Sequence, residues 1–262
     1  MVLVRLRDMD ARQALAARAL ALVDLTDLAD DTTTAATEQL CRRALGPFGS
    51  TAAVCVWPRF VRKAAELLDG SDVRVATVVN FPSGGTDVDA TVAETIGALH
   101  DGADEVDLVL PYRAFLDGDV RAATDMLEAV RSVVSPPARL KVILETGAYT
   151  TQAQVSAAAV LAIQHDADFI KTSTGKTGVS ATPEAAETML TVIRDLGRPV
   201  GFKPSGGIRT LDDAGTYLAL ADRIMGPEWA SPATFRFGAS GLLDALEAVL
   251  AGDPERPGDA DY

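Results

Sequence analysis

Short β-rich apolar runs recur along the chain, and each is followed by a stretch with apolar positions at helical spacing. The strand-like runs cover residues 20–25, 52–57, 73–80, 105–110, 141–146, 168–173, 200–205 and 235–240. The helix-like stretches cover 35–45, 59–68, 88–100, 120–134, 152–165, 183–196, 211–221 and 242–250. Eight strands alternating with eight helices predict parallel pairing, because a crossover helix returns the chain to the same end of the sheet. No G-x-G-x-x-G turn accompanies any pair. An α/β fold with a single closed (β/α)8 TIM barrel is therefore expected rather than an open doubly wound sheet. Residues up to about Ala19 read as an extra helix ahead of the first strand. The chain then divides into one barrel domain, residues 1–250, and a Gly-, Pro- and Asp-rich tail, 251–262, expected to be flexible.

Three strands break the apolar pattern in an ordered way. Val106, Leu108 and Leu110 alternate with Glu105, Asp107 and Val109. Ile170 and Thr172 alternate with Phe169, Lys171 and Ser173, and Phe202 and Pro204 with Gly201, Lys203 and Ser205. Successive side chains of a strand point to opposite faces. A barrel packs its helices outside, so Asp107, Lys171 and Lys203 are expected to point inward. Buried ionisable groups are costly unless they serve something; the alternative is a Lys–Asp–Lys network that only braces the barrel.

Composition narrows the chemistry. The chain has 262 residues, 48% hydrophobic and 23% charged, and a formal net charge of −13. That balance argues against nucleic acid and anionic membranes as partners. Two cysteines, Cys41 and Cys55, and two histidines, His100 and His165, provide neither a disulfide framework nor a metal site of ordinary spacing. No metal or cofactor is expected. The start MVLVRLRDMD lacks an apolar core for a signal peptide, so a cytoplasmic location is expected. Only five lysines (Lys63, Lys141, Lys171, Lys176 and Lys203) stand against nineteen arginines. Lysine can lose its proton and act as an amine nucleophile, which arginine cannot.

Lys171 and Lys203 fall toward the C-terminal ends of the sixth and seventh strands, the rim where active sites of this fold gather. Two ammonium groups about 6 Å apart repel by roughly 3 kcal/mol at an effective dielectric near 20, or about two pKa units. One of them is thus expected to deprotonate readily and attack a carbonyl, with Asp107 moving protons. Gly206 and Gly207 follow the seventh strand, and Gly238-Ala-Ser-Gly241 follows the eighth and opens a helix. Such loops approach phosphate oxygens through backbone N–H groups. Arg209, and Lys176 from Ser173-Thr-Gly175-Lys176, are placed to add positive charge. Lys141 is either another inward charge or a strand-start residue facing water, and both histidines are expected at the surface.

The segments Asp168-Phe-Ile-Lys-Thr-Ser-Thr-Gly-Lys176, Gly201-Phe-Lys-Pro-Ser-Gly-Gly207 and Gly102-Ala-Asp-Glu-Val-Asp107 resemble the signature segments of the deoxyribose-phosphate aldolase family. Asn80-Phe-Pro, Glu145-Thr-Gly147 and Phe235-Arg-Phe-Gly-Ala-Ser240 are similar to others, so the likeness runs from about Leu22 to the end. It implies a class I aldolase, without metal or cofactor, that reversibly cleaves 2-deoxy-D-ribose 5-phosphate to D-glyceraldehyde 3-phosphate and acetaldehyde. It further implies that Lys171 forms the Schiff base, Lys203 lowers its pKa, and Asp107 relays protons. Gly175, Lys176, Gly206, Gly207, Arg209, Gly238 and Ser240 would hold the phosphate. Asp24, Thr26, Cys55 and Thr172 would face substrate, and Tyr262 at the end of the tail would assist proton transfer. Cys55 reads equally well as a small buried hydrophobe. Gly241 stands where family members often carry a second serine. A homodimer or homotetramer is the assembly the resemblance suggests. The competing readings are another phosphosugar barrel with a lysine nucleophile, such as a transaldolase-like transferase, or a phosphosugar-binding protein without turnover.

Overall fold

The computed structural model describes residues 2–255; residues 256–262, and Tyr262 with them, lie outside the described residues. The eight strands are β1 (Val23–Asp27), β2 (Ala53–Val56), β3 (Arg74–Val79), β4 (Glu105–Val109), β5 (Arg139–Ile143), β6 (Phe169–Lys171), β7 (Gly201–Lys203) and β8 (Phe237–Ala239). Parallel ladders join them in the order β7-β6-β5-β4-β3-β2-β1-β8. Bridges from Phe202 to Phe235 and from Ser205 to Gly238 bring the two ends of that sheet together. The fold is the expected (β/α)8 barrel.

Threonine and aspartate start the helices. Thr33, Asp87, Asp119, Thr151, Thr182 and Thr210 each accept a hydrogen bond from an N–H of the first turn, satisfying donors that the helix itself cannot pair. The extra N-terminal helix is Val2–Leu20. It takes Leu20 away from the expected first strand, since the N–H of Leu22 still bonds back to the carbonyl of Ala19. The helix packs on Leu211–Met225 and Leu242–Ala251, and Arg18 grips both oxygens of Asp222 at 2.7 and 2.6 Å. Past Ala251 the chain stays against this layer. The Glu255 carboxylate accepts from the N–H of Leu211 and from Arg12, each at 2.7 Å.

The strand faces divide as their period-two pattern dictates. Val106, Leu108, Val142, Ile170 and Phe202 point outward into the main core beneath the helices. At that scale the fold rests on apolar burial, at roughly 25 cal/mol per Å² removed from water. The inward faces are a different matter, because much of the barrel's centre is ionic.

Candidate active site

Asp24, Glu105, Asp107, Lys141, Lys171, Lys203 and Arg236 all project into the barrel, and none is more than 3% exposed. Four cations thus meet three carboxylates in the buried interior. If every group were ionised, the cluster would carry one surplus positive charge. Such groups persist only when each is paired, and here the pairing is dense.

Asp107 stands at the centre. Its Oδ1 accepts from Lys141 at 2.8 Å, and its Oδ2 accepts from both Lys171 and Lys203 at 2.9 Å. Lys141 also reaches Glu105 at 2.6 Å, and Lys203 reaches Asp24 at 2.5 Å. Arg236 closes the floor, donating to Asp24 at 2.6 Å and to the two oxygens of Glu105 at 3.1 and 2.8 Å. Register brings these groups together: Asp107 lies beside Lys141, and Lys171 beside Lys203.

The lysines are not equivalent. Burial disfavours the charge of Lys203, but Asp107 and Asp24 outweigh it and hold its pKa well above the ordinary 10.5. Lys141 is raised in the same way by Asp107 and Glu105. Lys171 has one carboxylate, which it shares with Lys203. Its pKa is lowered, first by burial and then by Lys203, against the pull of Asp107. Losing that one proton is also what makes the cluster electrically neutral. Asp107 stays ionised: burial opposes its charge, and the three surrounding ammonium groups hold it well below the usual carboxylate range. Burial raises the Cys55 thiol, whose neighbours are Leu28, Ala76 and Val78. The charges of Lys203, Asp107 and Lys171 also reach it.

Beside Lys203, at the C-terminal end of the barrel, lies a cup of about 320 Å³. It is lined by Gly175, Thr177 and Ser180 after β6, by Gly206, Gly207 and Arg209 after β7, and by Gly238 and Ser240 around β8. Two of these glycines are required by contact: a Cβ on Gly206 would meet Ser180 Oγ at 2.5 Å, and one on Gly238 would meet Lys203 Cε at 3.1 Å. Gly206 also has φ +83, open to glycine at no cost. Gly241 is the N-cap of the helix Leu242–Ala251 and brings no side-chain bond.

A profile of DeoC/LacD family aldolases matches residues 18–246. The chain belongs to that family. It is an aldolase, and so a carbon–carbon lyase. It is 56% identical over 239 residues to a deoxyribose-phosphate aldolase of Agrobacterium fabrum, covering 90% of this chain and 92% of that one. Among solved structures, a Toxoplasma gondii protein described as a deoxyribose-phosphate aldolase superposes with a TM-score of 0.85 at 26% identity, over 94% of this chain and 97% of that one. The deoxyribose phosphate aldolase of Aeropyrum pernix, described as tetrameric, shares the fold with a TM-score of 0.71 at 24% identity, over 90% and 91% of the two chains.

Most residues expected at this aldolase's site converge, with two placed elsewhere. Lys176 does not line the cup; its Nζ donates to the carbonyl of Leu28 across the barrel mouth at 2.8 Å. Thr172 faces β7, where its hydroxyl donates to the carbonyl of Ser205 at 3.3 Å and accepts from its N–H at 3.0 Å. Asp24 joins the charge cluster, and the Thr26 hydroxyl bonds the carbonyl of Asp24 at 2.8 Å. His100 is exposed at 78% and His165 partly covered at 23%. Among the described residues no group of three or more His, Cys, Asp or Glu side chains is arranged to hold a metal ion, and no helix is long and apolar enough to cross a membrane.

Sequence reasoning left Lys141 open and passed over Arg236. Both carried a signal. Arg236 lies two residues before Gly238, and Lys141 two before Ile143, so each shares the inward face of its strand. Glu105, two before Asp107, follows the same rule.

Proposed function

We propose that this aldolase cleaves 2-deoxy-D-ribose 5-phosphate reversibly to D-glyceraldehyde 3-phosphate and acetaldehyde through an imine on Lys171. The observation that carries the mechanism is the inequality of the lysines: of the three in the cluster, only Lys171 has a single carboxylate partner, shared with Lys203, and burial lowers its pKa. The substrate assignment rests on the named relatives and on the glycine-rich cup, whose small residues leave room for phosphate oxygens to approach the backbone.

The neutral Lys171 amine adds to the C1 aldehyde carbon, giving a carbinolamine that loses water to form the iminium. Asp107, bonded to Lys171 at 2.9 Å, takes the proton released by the amine and returns it to the departing hydroxyl. Asp107, again a carboxylate, then takes the C3 hydroxyl proton as the C2–C3 bond breaks. Its electron pair passes to the iminium as an enamine, and C3 leaves as the aldehyde of glyceraldehyde 3-phosphate. Protonation of the enamine carbon and hydrolysis free acetaldehyde and Lys171. Lys203, held protonated, keeps the neighbouring amine neutral and offers a proton to developing oxygen charge. We assign Tyr262 to proton transfer at the enamine carbon. No metal is needed, since the iminium is the electron sink. The free thiols Cys41 and Cys55 suit the reducing cytoplasm, and a homodimer or homotetramer is the assembly we propose.

Borohydride trapping with acetaldehyde, followed by peptide mass mapping, tests the assignment. A reduced adduct confined to Lys171, and absent from Lys171→Ala, is the expected result. An adduct on Lys203 instead would reverse the two lysine roles.

A further inference from the structure

Glu145 is fully buried and in the left-handed region, φ 59 and ψ 59, which a non-glycine residue adopts only when its surroundings compel it. Among the described residues no ion pair involving it is present. Its oxygens accept instead from the loop that follows β6: from the Thr174 hydroxyl at 2.5 Å, the Thr174 N–H at 3.3 and 3.4 Å, and the Thr177 hydroxyl at 3.2 Å. Isolated buried carboxylates are expensive, and three neutral donors from one loop, one of them shared between both oxygens, are a specific compensation.

That loop is held from three sides. A Cβ on Gly147, two residues past Glu145, would come within 2.2 Å of the carbonyl oxygen of Val179, so the two loops touch backbone to backbone. On its other flank, the N–H of Ala181 bonds the carbonyl of Ser205 at 3.2 Å. Between these anchors lie Gly175, Thr177, Gly178 and Ser180, which form one wall of the cup. Nothing in this arrangement reaches the amine of Lys171 directly.

We infer that Glu145 is a positioning residue for phosphate recognition: through Thr174 and Thr177 it sets the wall of the cup and leaves imine formation to Lys171 and Asp107. The inference rests on the phosphate reading of the cup. It makes a separable demand, because anion affinity and imine chemistry should respond differently to its loss.

The experiment titrates wild type and Glu145→Gln with inorganic phosphate, read as protection against thermal unfolding, and traps acetaldehyde on Lys171 in both. Glutamine keeps the shape but turns an amide donor toward donors. Phosphate affinity is expected to fall roughly 10- to 100-fold, the effect of a lost charge-assisted hydrogen bond, while trapping stays within about two-fold. Thr174→Val, which removes one hydroxyl donor, should weaken phosphate in the same selective way. Equal phosphate affinity in the variant overturns the inference, as does a parallel loss of trapping, which marks general damage. Failure of the wild-type protein to bind phosphate removes the phosphate reading itself, whatever the variant does.

Discussion

Lys171 and Lys203 differ through their carboxylates more than through their mutual repulsion. Both bond the same oxygen of Asp107, but only Lys203 has Asp24 as well. Removing the Lys203 charge takes away one cause of the low Lys171 pKa, so that pKa should rise. Imine formation needs the neutral amine, and its rate should therefore climb at higher pH in Lys203→Met than in the wild-type protein. The pH profile of acetaldehyde trapping checks this; an unmoved profile would mean that burial alone sets the Lys171 amine. Asp107 was legible in sequence as an inward acid because its strand alternates cleanly. Lys171 and Lys203 were legible beside it, but that Lys141 joins them, and which oxygen each lysine bonds, was not, because hydrogen-bond geometry depends on how neighbouring strands are staggered.

Among the strands, β6, β7 and β8 are the shortest, at three residues each, and β6 and β7 meet in close contact. Gly201 opens β7 opposite Phe169 of β6, and a Cβ there would lie 2.3 Å from the phenylalanine ring. The ring also sits under the guanidinium groups of Arg139 and Arg236, at 5.9 and 5.7 Å. Gly201→Ala should cost about 1–3 kcal/mol by overpacking, seen as a lower urea midpoint with an unchanged slope. A neutral result would show that the Phe169 ring can move aside. Strand positions along the chain were readable from period-two alternation, whereas their ends were not. The expected first strand began inside the helix Val2–Leu20 because its apolar residues satisfy either period, and the short helix Tyr112–Leu116 carries too few turns to show one.

For the whole molecule, the ionic centre links folding to pH at both extremes. Asp24, Glu105 and Asp107 all have lowered pKa values in the fold, burial opposing and the cations prevailing. Their contribution is therefore present above the ordinary carboxylate values of 3.8 and 4.5, and is lost as pH falls through the lower folded values. Lys141 and Lys203 are raised, so their contribution is complete below 10.5 and is lost as pH rises through the higher folded values. Lys171, which is lowered, works in the opposite sense: its deprotonation in the fold adds stability as pH rises toward 10.5. Urea unfolding across pH 3 to 11 should show a broad central region of stability that falls steeply on the acid side. Replacing Arg236 with Met should lower the whole curve by about 3–5 kcal/mol, because Glu105 would lose one of its two buried partners. A smaller loss would mean that Lys141 alone can compensate Glu105.

By itself the sequence determined the alternation of strands and helices, and with it the barrel, because hydrophobic periodicity is a local property of the chain. It also determined that Asp107, Lys171 and Lys203 would share the interior, since facing follows from counting by twos along each strand. Only the tertiary structure decided which charges pair. The register of β4 against β5 and of β6 against β7 sets the distances around Asp107, and those distances leave Lys171 with a single carboxylate and, alone of the three lysines there, a lowered pKa. Tertiary structure likewise turned Lys176 toward Leu28 and Thr172 toward Ser205, and drew Glu145 beneath the cup. Those positions depend on loops meeting across the barrel mouth, where residues far apart in sequence compete for the same donors and acceptors.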